Sequence, residues 1–309
     1  MTLANRRSRL ARRNSKHMRA LLIRWILKLM AGMSLPRVHR LGALLGRGLM
    51  AFPNDLRDVA RINLQHCFPE WTNAEREQLL LQCLQETSKT ALEAGAMWLW
   101  PVQRVLPLIR SISGEEVLAA AMAKGKGVIF AAPHLGAWEI VGLYVSAHWP
   151  MTSLYRPPRM ATLGAMIRQG RERAGATLVP TDASGIRSLY KALSRGEVIG
   201  ILPDQSPERN AGVFAPFFGV QANTMTLLSR LAKKSGATVL MTYAERLPQG
   251  EGYQLHFHQV EPAVASDDAV QAATVLNEAI EDCIRQHPAQ YQWGYKRFKR
   301  RPLGEERFY

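Results

Sequence analysis

Residues Val128–Val145, VIFAAPHLGAWEIVGLYV, change their hydrophobic period part-way. The unbroken apolar run Val128–Ala132 reads as a buried strand. Pro133 and Gly136 interrupt it, and the residues from Ala137 onward read as an apolar helix. His134 is thereby placed at the end of a strand and Glu139 near the start of the following helix. In α/β sheets this edge is where ligands bind, and a histidine steadied there by a carboxylate is a candidate general base.

The same alternation continues toward the C-terminus. Strands are expected at Val128–Ala132, Thr152–Tyr155, Ala176–Val179, Val198–Leu202, Thr238–Ala244 and Tyr253–Phe257. Helices are expected at Ala137–Ser146, Ala161–Ala174, Gly185–Ser194, Thr226–Ser235 and Asp268–Gln286. Upstream, residues 35–125 read as helical, with segments Pro36–Phe52, Asp55–His66, Thr72–Trp100 and Gly114–Ala123 punctuated by Pro53, Pro69 and Pro101. The fold class is α/β: a mostly parallel central sheet flanked by helices, with an N-terminal helical, membrane-associating extension. The expected division is a basic segment with an interfacial helix over 1–34 and a catalytic domain over 35–309. Within the latter, 35–125 is helical and 126–309 is the α/β core.

The chain has 309 residues, of which 47% are hydrophobic, enough for a substantial core and too many for a disordered protein. Its formal charge of +15 is unevenly placed. Residues 1–61 hold fourteen Lys/Arg against Asp55 and Asp58, and Lys296–Arg301 forms a second basic cluster. Basic ends on a nearly neutral body point to an anionic surface or substrate. The three cysteines, Cys67, Cys83 and Cys283, have no metal-ligand spacing and read as small buried hydrophobes in a reducing compartment.

Within His17–Met33, Arg24 and Lys28 fall on one helical face with Arg13 and His17. Leu22, Ile23, Trp25, Ile26, Leu27, Leu29 and Met30 occupy most of the rest. No uninterrupted apolar run reaches the ~20 residues that cross a bilayer, and no clear cleavage site follows. The pattern fits a helix lying in the membrane interface, its cations near anionic head groups.

His-x4-acid spacing alone is weak evidence, since roughly 0.6 chance matches are expected from the composition. A second match, His256 and Glu261, lies in an alternating strand pattern without a glycine turn and reads as the chance one. Other strand ends are polar as well. Val198–Leu202 runs into Pro203-Asp204-Gln205-Ser206 and a glycine- and aromatic-bearing loop, GVFAPFFG. Another strand runs into Tyr155-Arg156-Pro157-Pro158-Arg159, ahead of a helix carrying Arg168, Arg171 and Arg173. A nucleophile elbow (GxSxG), HExxH, a P-loop and a strand-linked GxGxxG are all missing, which argues against serine hydrolase, zinc protease, P-loop NTPase and dinucleotide-dependent dehydrogenase readings together.

PHLGAWE resembles the His-x4-acid motif of glycerolipid-type acyltransferases, and specifically that of the bacterial late (secondary) acyltransferases of lipid A biosynthesis. RINLQHCFPEWTNAER is similar to that family's N-terminal helical region, and GRERAG with the following Gly-Ile-Arg helix to its middle. LSRGEVIGILPDQSPERNAGVFAPFFG resembles its Asp-bearing strand and loop, and AQYQWGYKRFKRRP its C-terminal signature. The likeness spans residues 61–302. It departs where many lauroyl transferases carry a DxD-like run and this chain has Asp204-Gln205-Ser206.

The resemblance implies transfer of a lauroyl- to myristoyl-length chain (C12–C14) from acyl carrier protein to a hydroxyl of a 3-hydroxyacyl chain on a Kdo-bearing lipid A precursor. His134 would be the general base, with Glu139 accepting the other ring N–H. Arg171 would meet an acceptor phosphate or the oxyanion, and Asp204 would orient that arginine or a sugar hydroxyl. Arg156, Gln205, Arg297 and Lys299 are further candidates for contacts with the acceptor. No metal, cofactor or acyl-enzyme is required, the acyl-carrier-protein thioester being a co-substrate. The implied partners are acyl carrier protein, an anionic lipid A precursor and a membrane surface, with no nucleic acid. The implied place is the cytoplasmic face of the bacterial inner membrane, held peripherally or monotopically. Two alternatives stay open at this stage: the same chemistry on another glycolipid or aminolipid, and a non-enzymatic binder of an anionic polymer.

Overall fold

The computed structural model describes residues 18, 20–158, 161–208 and 210–309. It begins with a helix over 20–31 (α1), then α2 (Leu35–Ala51), α3 (Asp55–Cys67), α4 (Asn73–Leu99) and the short α5 (Val102–Val105). Local chemistry sets their starts: Asn54 caps α3, and Thr72 with Glu75 forms a capping box on α4. The remaining elements are β1 (Ile109–Ser113), α6 (Glu115–Ala123), β2 (Val128–Ala131), α7 (Trp138–His148), β3 (Met151–Leu154), α8 (Ala161–Glu172), β4 (Thr177–Val179), α9 (Ala183–Ser194), β5 (Val198–Ile201), β6 (Gly212–Phe217), β7 (Val220–Met225), α10 (Leu227–Ser235), β8 (Thr238–Arg246), β9 (Tyr253–Gln259) and α11 (Ala269–Gln286).

Seven strands form one sheet in the order β1-β9-β8-β2-β5-β3-β4, parallel throughout except for the β8–β9 pair. All four residues of β2 and of β5 are buried, as expected of strands covered on both faces. Ile129, Ala131, Ile199, Val239 and Tyr243 face a core closed by α9, α10 and α11. Val128, Phe130, Val198, Leu240 and Ala244 face the other side, closed by α6 and α7. The expected mainly parallel α/β sheet is present.

Two segments differ from the sequence reading. Residues 35–125 are not wholly helical: β1 pairs parallel with β9 at the sheet edge. Its sequence, IRSIS, is short and only half-buried, so it lacks the apolar run that marked the inner strands. GVFAPFFG is not a loop but most of a β6–β7 hairpin. Phe218 and Gly219 turn it with φ of 48° and 74°, the left-handed pair that a two-residue hairpin turn needs. Phe is an unusual residue there, so the usual Asn-Gly signal was missing.

Helix α1 packs on α4 where Gly95 presents no side chain; a Cβ there would lie 2.3 Å from the Leu27 carbonyl oxygen. Leu27 and Met30 face inward, whereas Leu21, Leu22, Trp25 and Leu29 are exposed. Among the described residues no helix is long and apolar enough to cross a membrane. Arg13 and His17, part of the expected basic face, lie outside the described residues.

Candidate active site

Strands β2 and β5 are parallel neighbours, with Ala131 opposite Ile201, so the loops that follow them leave the same edge of the sheet side by side. The first loop carries His134 and the second Asp204. Asp204 is 2% exposed and grips the histidine twice. Its Oδ2 accepts the His134 backbone N–H at 3.1 Å, and its Oδ1 lies 2.9 Å from the ring Nδ1. Burial alone would raise the Asp204 pKa, but the charge and hydrogen bonds of His134 bring it below the ordinary aspartate value.

The His134 loop is fixed from other directions too. The His134 carbonyl accepts the Gln292 N–H at 3.0 Å, and the Gly136 N–H donates to the Gln290 carbonyl at 3.0 Å. Gly136 has φ of 61°, and a Cβ there would sit 1.9 Å from the Ala244 oxygen, so only glycine fits. The Trp138 ring stands edge-on to the imidazole at 5.0 Å. With Nδ1 on Asp204, the ring's other nitrogen, Nε2, is left for chemistry. The Gln205 amide nitrogen lies 3.3 Å from Nε2 and 3.4 Å from Gln292 Oε1. These partners assign the neutral tautomer with its proton on Nδ1 and its lone pair on Nε2.

This pairing corrects the sequence reading in two respects. Glu139 does not take the ring N–H; it receives the Arg171 guanidinium, with Nε 2.9 Å from Oε2 and Nη2 on Oε1. Asp204 orients the histidine rather than that arginine. The reason is geometric: Glu139 lies in the first turn of α7, facing α8, whereas Asp204 arrives on the neighbouring strand end. Burial pushes Glu139 up, but Arg171 outweighs it and holds the carboxyl below its usual range. Arg171 is also 5.6 Å from the Tyr155 ring centroid.

The other expected residues separate. Gln205 belongs to the site. Arg156 is exposed and paired with the exposed Glu208. Lys299 is exposed and bonds the Tyr295 hydroxyl, which accepts the Ser206 N–H, so it flanks the Asp204 loop. Arg297 is no surface contact: it is 3% exposed, donates to the Asn223 carbonyl and to Thr224 and Asn277, and lies against Phe217. It ties the hairpin to α11 and the C-terminal segment. Gln292 was not singled out from the sequence, although it lies in AQYQWGYKRF; the signal was there, but the basic residues after it drew the reading.

Two apolar spaces meet at Trp138 and Glu139. One, of ≈ 80 Å³, runs between α7 and the sheet past Phe130, Gly142, Met151 and Gly200. The other, of ≈ 360 Å³, is a cleft walled by Ile23, Leu27, Ala94, Trp98 and Leu163 and reaching Gln292. The cleft is ligand-sized. A half-buried histidine held by a buried aspartate beside greasy spaces suits proton removal from a hydroxyl attached to a long apolar chain.

The family model for bacterial lipid A biosynthesis acyltransferases matches residues 10–300. The chain belongs to this family. It is similar to the lipid A biosynthesis lauroyltransferase of Escherichia coli (strain K12), at 31% identity over 280 residues and 90% of each chain. The palmitoleoyltransferase of the same organism is 32% identical over 87% of each chain, and its myristoyltransferase is 28% identical over 87% of this chain and 82% of its own. The protein is an acyltransferase of lipid A biosynthesis.

Proposed function

We propose that the enzyme moves a C12–C14 acyl group from acyl carrier protein to a hydroxyl of a 3-hydroxyacyl chain on a Kdo-bearing lipid A precursor, with His134 as general base. The observation carrying this reading is the imidazole held through Nδ1 by buried Asp204, with Nε2 beside the Gln205 amide and its ring against Trp138, the residue at which two apolar spaces meet.

The acceptor hydroxyl takes the place of the Gln205 amide at Nε2. As its oxygen attacks the thioester carbonyl, its proton passes to Nε2, and Asp204 steadies the imidazolium. The tetrahedral intermediate collapses with cleavage of the C–S bond, and the imidazolium returns the proton to the departing thiolate. Arg171, locked by Glu139, supplies positive charge toward the developing oxyanion. The acyl chain enters between α7 and the sheet past Phe130, Gly142 and Met151, widening the ≈ 80 Å³ space there as it fills it, and the cleft beside α1 receives a chain of the acceptor.

Exposed Leu21, Leu22, Trp25 and Leu29 of α1 and Leu41, Leu44, Leu45 and Phe52 on and after α2 form the face that rests on the membrane. Arg24, Lys28, Arg37, Arg40 and Arg47, all exposed, meet its anionic head groups. The basic surface also steers the acidic acyl carrier protein. Mass spectrometry of a Kdo-bearing tetraacylated precursor incubated with a panel of acyl-carrier-protein thioesters tests the reading. One added acyl group, largest for C12 or C14 donors, is expected. Acylation of a different glycolipid or aminolipid in its place would overturn the acceptor.

A further inference from the structure

Away from His134, the second histidine match leads to a different chemistry. His256 does not pair with Glu261. Its Nε2 lies 3.1 Å from Oε2 of Glu245, and the same oxygen lies 3.5 Å from Nε2 of His287. The three ligand atoms all fall within 4.8 Å of one another. Tyr243 opposes His256 in the β8–β9 ladder, so Glu245, two residues on, shares its face of the sheet. His287 reaches this face from the C-terminal end of α11.

We propose that Glu245, His256 and His287 bind a borderline divalent cation of the Zn²⁺ type. Ions of this kind take two imidazoles and a carboxylate at about 2.0–2.2 Å, which puts neighbouring donors of a tetrahedron about 3.3 Å apart. The observed 3.1 and 3.5 Å bracket that edge. Burial lowers the pKa of both imidazoles despite Glu245, which favours the neutral, metal-binding form. The rings are already ordered: His256 stacks on Tyr243 at 4.5 Å, and Tyr243 meets His287 at 5.6 Å. Glu245 and His287 each keep about a fifth of their side-chain surface exposed, which gives an ion a way in. Buried His258 Nε2, on the next ring of the stack, has no hydrogen-bond partner among the described residues.

The site is structural and bears on the active centre through one strap. After His287 the chain runs through Gln290, whose carbonyl holds Gly136 and whose side chain bonds both the N–H and the carbonyl of Arg246, to Gln292, which holds the His134 carbonyl. A cation joining His287 to Glu245 anchors the start of that strap to β8.

Titration of the untagged, detergent-solubilised full chain with Co²⁺, after stripping with chelator, tests this independently of acyl transfer. Uptake of one ion per chain with visible bands of a four-coordinate ion, displaced by Zn²⁺, is expected. His256→Ala and His287→Ala should each weaken it at least about tenfold, His287→Cys should restore it, and His134→Ala should leave it unchanged. Zn²⁺ should raise the thermal midpoint of the wild type but not that of His287→Ala. No saturable uptake by the wild type, or uptake in both alanine variants as tight as in the wild type, would overturn the site.

Discussion

Asp204 stands 70 residues from His134 in the chain yet makes two bonds to it, while Glu139, five residues away, makes none. The difference reflects the parallel sheet: adjacent strand ends bring distant residues together, and the start of the next helix points a near one elsewhere. Gly142 is a second residue whose importance is spatial. It faces the cavity between α7 and the sheet, and a Cβ built there meets nothing within 4 Å. Gly142→Met is therefore expected to fold normally while filling the chain's space. Competition between donors of different length should show the preference moving to shorter chains by about tenfold or more per lost pair of methylenes, since one methylene is worth ~1–3 kcal/mol in such a pocket. An unchanged length profile would place the chain elsewhere.

Among the elements, α2, α4, β8 and β9 are joined by a buried polar knot. Glu93 of α4 accepts from His39 of α2 and Tyr253 of β9, both at 2.8 Å, and binds Arg246 of β8. Burial opposes its charge, but Arg246 and the hydrogen bonds win and lower its pKa from 4.5 to about 2. Its folded-state value thus lies below the unfolded one, so its contribution is complete above pH 4.5 and is lost as the pH falls toward 2. The shift corresponds to about 3 kcal/mol. Urea midpoints measured across this window should drop steeply in the wild type. Glu93→Gln should be less stable at neutral pH and should show a shallower acid limb.

The elements themselves were largely legible in the sequence. Strands such as VIFA and VIGI announce themselves by apolar runs between glycines and prolines, and caps at Asn54, Thr72 and Asp268 mark helix starts. What escaped was set by tertiary pairing. Strand β1 exists because β9 offers it an edge, and the β6–β7 hairpin because Arg297 and Asn277 satisfy its carbonyls and hydroxyl. His134 was readable from one local change of period. Its partner was not, because nothing in the spacing of His134 and Asp204 encodes that β2 lies beside β5. The basic tail misled for a similar reason: Arg297 looks like its neighbours in sequence but is turned into the core.

At the scale of the molecule, charge and greasy surface coincide. Helices α1 and α2 each carry exposed apolar side chains and exposed cations, and Ile23 and Leu27 of α1 wall the cleft that runs to Glu139 and Gln292. Leu22→Glu combined with Trp25→Glu is expected to cut co-sedimentation with anionic vesicles at least about tenfold, because both apolar area and net charge are lost. Wild-type binding should persist in large part through a high-salt wash; complete release by salt would make the attachment purely electrostatic.

The most direct test of the catalytic arrangement is the single-turnover rate of acyl transfer in His134→Ala, Asp204→Asn and the wild type, at saturating donor and acceptor. Losses of about 10²–10⁴-fold are expected in both variants, with donor binding nearly unchanged, because the base and the group that orients it act as one unit. Transfer at wild-type rate in either variant would contradict the assignment of the His134–Asp204 pair.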